Sequence, residues 1–307
     1  MSPELLDAIF FSAVRAATPL LLAGLGILLL EKSGVLNLGQ EGVVAVSAVV
    51  SFLTQYYTGS WLWALVAAVI SALLLNTLFA LLVFRFRAGQ VISGLSLSLF
   101  GVGLAALLAS IELGAAATPL PALPIPLLQQ VPLLGVALFS QDGFVYVAAL
   151  SVALIWWLLY RTRWGLHVRA VGDAPSSAYA LGYHPNRIRF QALMLCAVCV
   201  GLAGAYLSMV YTPVLAEGMS GGRGWIALAL VVFAGRQLRY LVLGALLFGF
   251  FAVVNLVLGD LGWRMPGSIA AMMPYVLTIV VLLILSALRV SRSEPASLGQ
   301  NFNVSNR

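Results

Sequence analysis

EKSGVLNLGQEG, residues 31–42, gathers Glu31, Lys32, Asn37, Gln40 and Glu41 between two apolar runs, in a chain that is only 8% charged. The run that follows, Val43 to Tyr57, supplies only about 22 Å of helix, short of the roughly 30 Å of bilayer hydrocarbon. A membrane span built on it must therefore take in part of the polar stretch. A carboxylate at that depth costs several kcal/mol unless it is paired or wet. Asn37 and Glu41 are four apart and share one face if the stretch is helical. Gly34, Gly39 and Gly42 permit close packing or a broken helix. The stretch reads either as a half-buried polar elbow lining a translocation path or its inner gate, or as a tight inner turn with only Glu41 submerged. The first is favoured.

Composition fixes the class around this stretch. The 307 residues are 62% hydrophobic with mean hydropathy +1.04, far above a soluble domain. Strand-like alternation is absent, so the expectation is an all-α, polytopic transmembrane bundle rather than a barrel. Apolar runs fall at 8–30, 35–56, 61–84, 90–112, 143–160, 189–212, 225–235, 240–259 and 269–288. That gives about nine spans, with eight or ten open, because the eleven residues of 225–235 reach only about 16 Å. This run either borrows from 219–224 or re-enters as a half-helix beside a cavity. No internal repeat is evident.

Charge sets the expected orientation. With the N-terminus outside, the inner loops and cytoplasmic C-terminus hold Lys32, Arg85, Arg87, Arg161, Arg163, Arg169, Arg187, Arg189, Arg236, Arg239, Arg289, Arg292 and Arg307. That is 13 of the 16 basic residues, as the positive-inside rule requires. The basic residues form no patch with aromatic partners, so nucleic acid is excluded as a partner. Glu4 and Asp7 precede the first run where a cleavable signal would carry positive charge. Cys196 and Cys199 lie within one apolar run and read as packing residues.

Residues 1–290 form the expected transmembrane domain, with a cytoplasmic tail at 291–307. Two long loops divide that domain. The outer loop 113–142 carries Pro119, Pro121, Pro124, Pro126 and Pro132, which predict a stiff, irregular cap. The inner loop 161–188 predicts a short helix capped by Asp173, with Pro175 at its second position and Gly182 at its end. It is either a solvated loop or a docked helix that meets a cytoplasmic partner.

The residues exclude most enzymes. Both histidines, His167 and His184, sit in the inner loop, so no metal or acid–base set converges and no cofactor is expected. HExxH and GxSxG are absent, and GGRGW at 221–225 lacks the ending of a phosphate-binding loop. ATP-driven work would need another subunit. Gln90, Ser93, Ser96 and Ser98 on the fourth run could face a cavity, as could Asn76, Asn255, Tyr275 and Thr278. Each singly reads more readily as an interhelical hydrogen bond. GLAGA at 201–205, Gly244 and Gly249 read as packing sites.

EKSGVLNLGQEG resembles the signature of bacterial ABC importer permeases for simple sugars and nucleosides, within the ribose and branched-chain amino-acid permease superfamily. RAVGDAPSSAYALGYHPNRIR resembles that group's coupling loop, GLAGAYLS its following helix, and SGGRGWIALALVVFAG, MMPYVLTIVVLL and EPASLGQNF its later segments. The resemblance implies a multi-pass protein of the bacterial inner membrane that moves nucleosides or simple sugars. It also implies partner ATPase subunits, a second related permease or a second copy of this chain, and an extracytoplasmic binding protein. Asn37, Glu41, Gln90, Ser93 and Ser98 would then lie at the pathway or gate. Gly172, Asp173, Pro175, Ala178, Leu181 and Gly182 would dock on the ATPase. Ser98 stands where the nucleoside-type pattern has asparagine. A permease for another small polar solute, such as branched-chain amino acids, and an ATP-independent secondary transporter are the alternatives.

Overall fold

The computed structural model describes residues 3–124, 138–260 and 294–302, and positions 272, 276 and 280. The run 269–288, Pro126, Pro132 and the side chain of Asn255 thus fall largely or wholly outside the described residues. Helices follow the apolar runs: α1 (Pro3–Lys32), α2 (Gln40–Thr58), α3 (Trp61–Ala80), α4 (Gln90–Ala109) and α5 (Gly143–Arg161). The short α6 (Arg163–Asp173) and α7 (Pro175–Ala180) follow, then α8 (Pro185–Tyr206), α9 (Arg223–Phe233) and α10 (Leu238–Asp260). Single π-helical turns extend α3 over Leu81–Arg85 and α8 over Leu207–Tyr211. No strand forms among the described residues; Ala116–Val214 and Ala122–Asp142 are isolated bridges.

Among the described residues, five helices are long and apolar enough to cross a membrane: Asp7–Lys32, Trp61–Arg85, Gln90–Ala109, Gly143–Arg161 and Pro185–Tyr211. Most of α1 and α8 is buried, while α3, α4 and α5 keep broad apolar outer faces. The chain is a polytopic helical membrane protein. Helix α2 falls outside the five because it carries Gln40, Glu41 and Gln55, all buried. It tolerates them because α3, α4, α8 and α9 surround it, so protein groups rather than lipid meet its polar atoms.

Small residues bring these helices together. Cβ atoms built on Gly201 and Gly204 of α8 would meet α3 at Val69 and α2 at Ser47, 3.0 and 2.6 Å away. One on Gly26 of α1 would lie 2.8 Å from the Cys196 carbonyl. Between α2 and α4 the contact is backbone on backbone: a Cβ on Gly101 would lie 2.6 Å from the Cα of Gly42. Gly101→Leu is therefore expected to destabilise the bundle by about 1–3 kcal/mol or more, read as a lower melting temperature in detergent. An unchanged melting temperature would show that α4 can shift freely.

Local chemistry sets the ends. Asp142 caps α5, accepting the Phe144 and Val145 N–H groups at 3.0 and 3.3 Å, and faces Arg15 of α1 at 3.9 Å. Burial pushes its carboxyl above the usual carboxylate range, and the cap bonds and Arg15 act against that. Gly114, Ala117 and Leu120 N–H groups donate to the carbonyls of Leu215, Pro213 and Met209. This ties the proline-rich loop to the chain leaving α8.

Candidate functional site

Helix α4 serves as a ruler for the polar stretch. The Leu36 N–H donates to Gln90 Oε1 at 2.8 Å. A Cβ on Gly94 would lie 2.6 Å from Leu38 N, and one on Gly42 would lie 2.7 Å from the Leu97 and Ser98 carbonyls. From Gln90 to Ser98 the helix rises about 12 Å, so residues 36–42 climb into the bundle alongside it. Gly34 takes the left-handed conformation that starts the climb, φ +85°, and Asn37 Oδ1 accepts the Gly39 N–H at 2.8 Å. Helix α2 thus begins at Gln40, inside the bundle rather than at its edge.

Asn37 and Glu41 do not share a helical face, because Asn37 precedes the helix. Asn37 Nδ2 turns to α3 and donates to Asn76 Oδ1 at 3.1 Å, where Gln40 Nε2 also points at 3.4 Å. Glu41 turns to α9. Its Oε1 accepts the Ser220 hydroxyl at 2.6 Å and the Gly222 N–H at 3.0 Å. Its Oε2 accepts the Gly224 and Trp225 N–H groups at 2.7 and 3.4 Å. These amides belong to the N-terminus of α9, where helical partners are missing and the dipole favours an anion. Glu41 also lies in the first turn of α2. Two helix N-termini meet on one carboxylate, in a residue only 5% exposed.

That geometry explains the short run 225–235. Helix α9 has eleven residues, about 16 Å, and the chain reaches it through non-helical residues 212–222. The end of that stretch and the first amides of α9 find their acceptor in Glu41, as polar backbone packed inside a membrane protein must. Ser93 and Ser98 are buried on α4, and the Ser98 backbone lies against Gly42.

Comparison with known proteins decides the family. Residues 9–284 match the branched-chain amino acid transport system permease component family. The chain belongs to that permease family. Three similar proteins span nearly its whole length. A Haloferax volcanii protein named as a glucose ABC transporter permease is 34% identical, covering 95% of this chain and 96% of its own. The guanosine ABC transporter permease of Bacillus subtilis is 31% identical over 91% and 92%. The nucleoside ABC transporter permease of Lactococcus lactis subsp. cremoris is 30% identical over 87% and 88%. No solved structure gives a significant match.

In this permease the loop 161–188 is largely helical. Thr162 caps α6 by accepting the Gly165 N–H at 3.1 Å, a helix that the charged string RWGLHVRAVGD does not announce. Asp173 is the last residue of α6, not the cap of α7. Ala174 holds that place without a side-chain cap, and Pro175 is the first helical residue of α7. Gly182, φ +88°, ends α7 as expected. Ala178 points inward, 4% exposed, while Leu181 projects, 77% exposed. The end of α6 rests on α1, since a Cβ on Gly172 would collide with the Lys32 carbonyl.

Among the described residues, three of the cations expected in inner loops are buried rather than solvated: Lys32, Arg189 and Arg236. Arg236 Nε donates to Glu31 Oε2 at 2.6 Å. Arg189 donates to the Ser33 carbonyl at 3.1 Å, the Gln300 carbonyl at 2.9 Å and Ser297 Oγ at 2.9 Å. The charge of these residues is legible in sequence; their partners, over a hundred positions away, are not.

Proposed function

We propose that this chain is the membrane-spanning subunit of an ATP-binding cassette importer for nucleosides or simple sugars. The observation that carries this reading is full-length similarity to permeases named for glucose, guanosine and nucleosides. The chain sits in the bacterial inner membrane with about nine crossings, eight to ten, its N-terminus outside and its C-terminus in the cytoplasm. Cytoplasmic ATPases supply hydrolysis, a binding protein delivers substrate, and a second permease, related or identical, completes the pathway.

In this reading the segment Gly172–Gly182 meets the ATPase. Leu181 supports it, since an exposed leucine on a stiff helical turn suits insertion into a partner's groove. Gly172 and Ala178 are buried behind the turn, exposed Asp173 and half-buried Pro175 lead into it, and Gly182 closes it. Closure of the ATPases moves this turn and rocks the spans between outward- and inward-open states. Asn37, Glu41, Gln90, Ser93 and Ser98 form the joint of the inner gate. Their hydrogen bonds and packing to protein favour holding the joint over binding solute.

The test is reconstitution with the ATPase, partner permease and binding protein, followed by uptake of labelled guanosine and glucose. ATP-dependent uptake of either is expected. Transport by this chain alone in an ion gradient would favour a secondary transporter and overturn the reading. Leu181→Asp is expected to weaken ATPase association about tenfold or more while leaving the fold intact, measured by co-purification. Undiminished association would remove Leu181 from the interface.

A further inference from the structure

Residues 294–302 lie across the inner end of the bundle and join elements that are far apart in sequence. Ser297, 4% exposed, donates through its N–H and its hydroxyl to the Gly172 carbonyl at the end of α6, at 3.0 and 2.6 Å. The same hydroxyl accepts from Arg189 Nη2 at 2.9 Å. Through Nε, Arg189 reaches the Ser33 carbonyl in the elbow at 3.1 Å. The Gly299 N–H donates to the Gly34 carbonyl at 3.2 Å. Gln90 Nε2 donates to the Gln300 carbonyl at 3.2 Å and to Asn301 Oδ1 at 3.1 Å, while its Oε1 holds Leu36. Asn301 Nδ2 donates to the Ala88 carbonyl at 2.8 Å. The Phe302 ring lies 5.6 Å from that of Tyr179 on α7, and Glu294 reaches Arg236 at 3.4 Å.

The geometry points to a strap: residues 294–302, with Arg189 as its buried node, join α6 and α7 to the elbow Ser33–Asn37 and to the start of α4, so that movement of the docked turn pulls on the joint at Glu41. This inference rests on the importer reading above. The contact of Gly172 with the Lys32 carbonyl is packing, which transmits a push but not a pull. Hydrogen bonds resist separation as well as approach. The run from Gly172 through Ser297 and Arg189 to Ser33, and from Asn301 through Gln90 to Leu36, gives the missing tension. Arg189 and Ser297 are positioning residues for transport, acting through the elbow.

The experiment uses the full transporter in proteoliposomes and measures ATP hydrolysis and substrate uptake in the same vesicles. A chain ending at Ser293 is expected to keep hydrolysis within about twofold while uptake falls about tenfold, the scale of a modest coupling free energy. Ser297→Ala with Asn301→Ala is expected to shift the same ratio in the same direction, and it decides the matter if the truncated chain does not assemble. An unchanged ratio of uptake to hydrolysis in that double variant overturns the strap. A second arm asks whether the contact persists through the cycle. In a chain with Cys196 and Cys199 replaced, Gln90→Cys and Asn301→Cys are bridged by a short reducible bis-thiosulfonate. Unbridged, this variant lacks the hydrogen bonds of Gln90 and Asn301 and is expected to transport less than the parent; bridging, which rejoins the tail to the start of α4, is expected to keep or raise that uptake. Uptake that stops on bridging and returns on reduction would mean that the tail must let go, and overturns the inference. Failure of the unaltered chain to recruit an ATPase would instead overturn the importer reading, and this inference with it.

Discussion

Glu41→Ala is expected to reduce uptake to background and to loosen the entry to α9 in protein that still reaches the membrane. The substitution strips the acceptor from the Ser220 hydroxyl and from the Gly222, Gly224 and Trp225 N–H groups at once. Each buried donor left without a partner costs about 1–3 kcal/mol, and water entering the gap recovers part of that. A loss of about 3 kcal/mol is the scale to expect, enough to let residues 217–224 leave their place. Side-chain choice separates an anionic cap from a solute contact. Glu41→Asp keeps the charge but is one methylene short, and should retain partial uptake. Glu41→Gln keeps the shape but turns an NH2 toward amide donors, and should behave almost as alanine does. The order Glu, Asp, Gln, Ala should appear both in uptake and in protease resistance of the 212–222 segment. A Glu41→Gln variant with raised KM but normal protease resistance would mean that the carboxylate meets solute instead.

Much of the fold is legible because burial in lipid demands long apolar runs. α1, α3, α4, α5 and α8 all stand where such runs predict them, and the shortness of 225–235 foretells a helix that cannot cross unaided. The polar stretch 31–42 was readable by arithmetic: too little helix follows it for a span that excludes it. What arithmetic could not supply is the partner. Glu41 is answered by groups 179 to 184 positions away, and nothing in SGGRGW declares that its amides need an acceptor. The positive-inside rule is reason enough to expect Arg189 and Arg236 in the sequence, and it hides the structural reason for them. Helix α6 is hidden in the sequence for a related cause. Its charged residues read as a solvated loop, whereas Val168, Val171 and Gly172 turn inward and pack it beneath the bundle.

Arg236→Ala should carry the other large effect, and on stability before transport. Arg236 Nε meets Glu31 Oε2 at 2.6 Å, with side chains 7% and 1% exposed. Arg236 itself takes a positive φ of 57° to do so, unusual for a residue with a Cβ, after Gly235 at 55°, where glycine adopts it freely. Removing the arginine leaves a carboxylate with almost no access to water, and breaking a buried pair in this one-sided way costs about 3–5 kcal/mol. Much of that penalty is the stranded charge rather than the lost attraction. Glu31→Leu together with Arg236→Met should therefore regain most of the stability, although neither single change is tolerated. Melting temperature in detergent provides the readout, and Arg239→Ala, an exposed arginine in the first turn of α10, is the control. If Arg236→Ala melts no lower than Arg239→Ala, then water reaches Glu31 and the pair is not buried in the working protein. If instead the double variant melts normally but transports poorly, the pair's importance lies in anchoring Glu294 at 3.4 Å, and the defect should match that of the truncated tail.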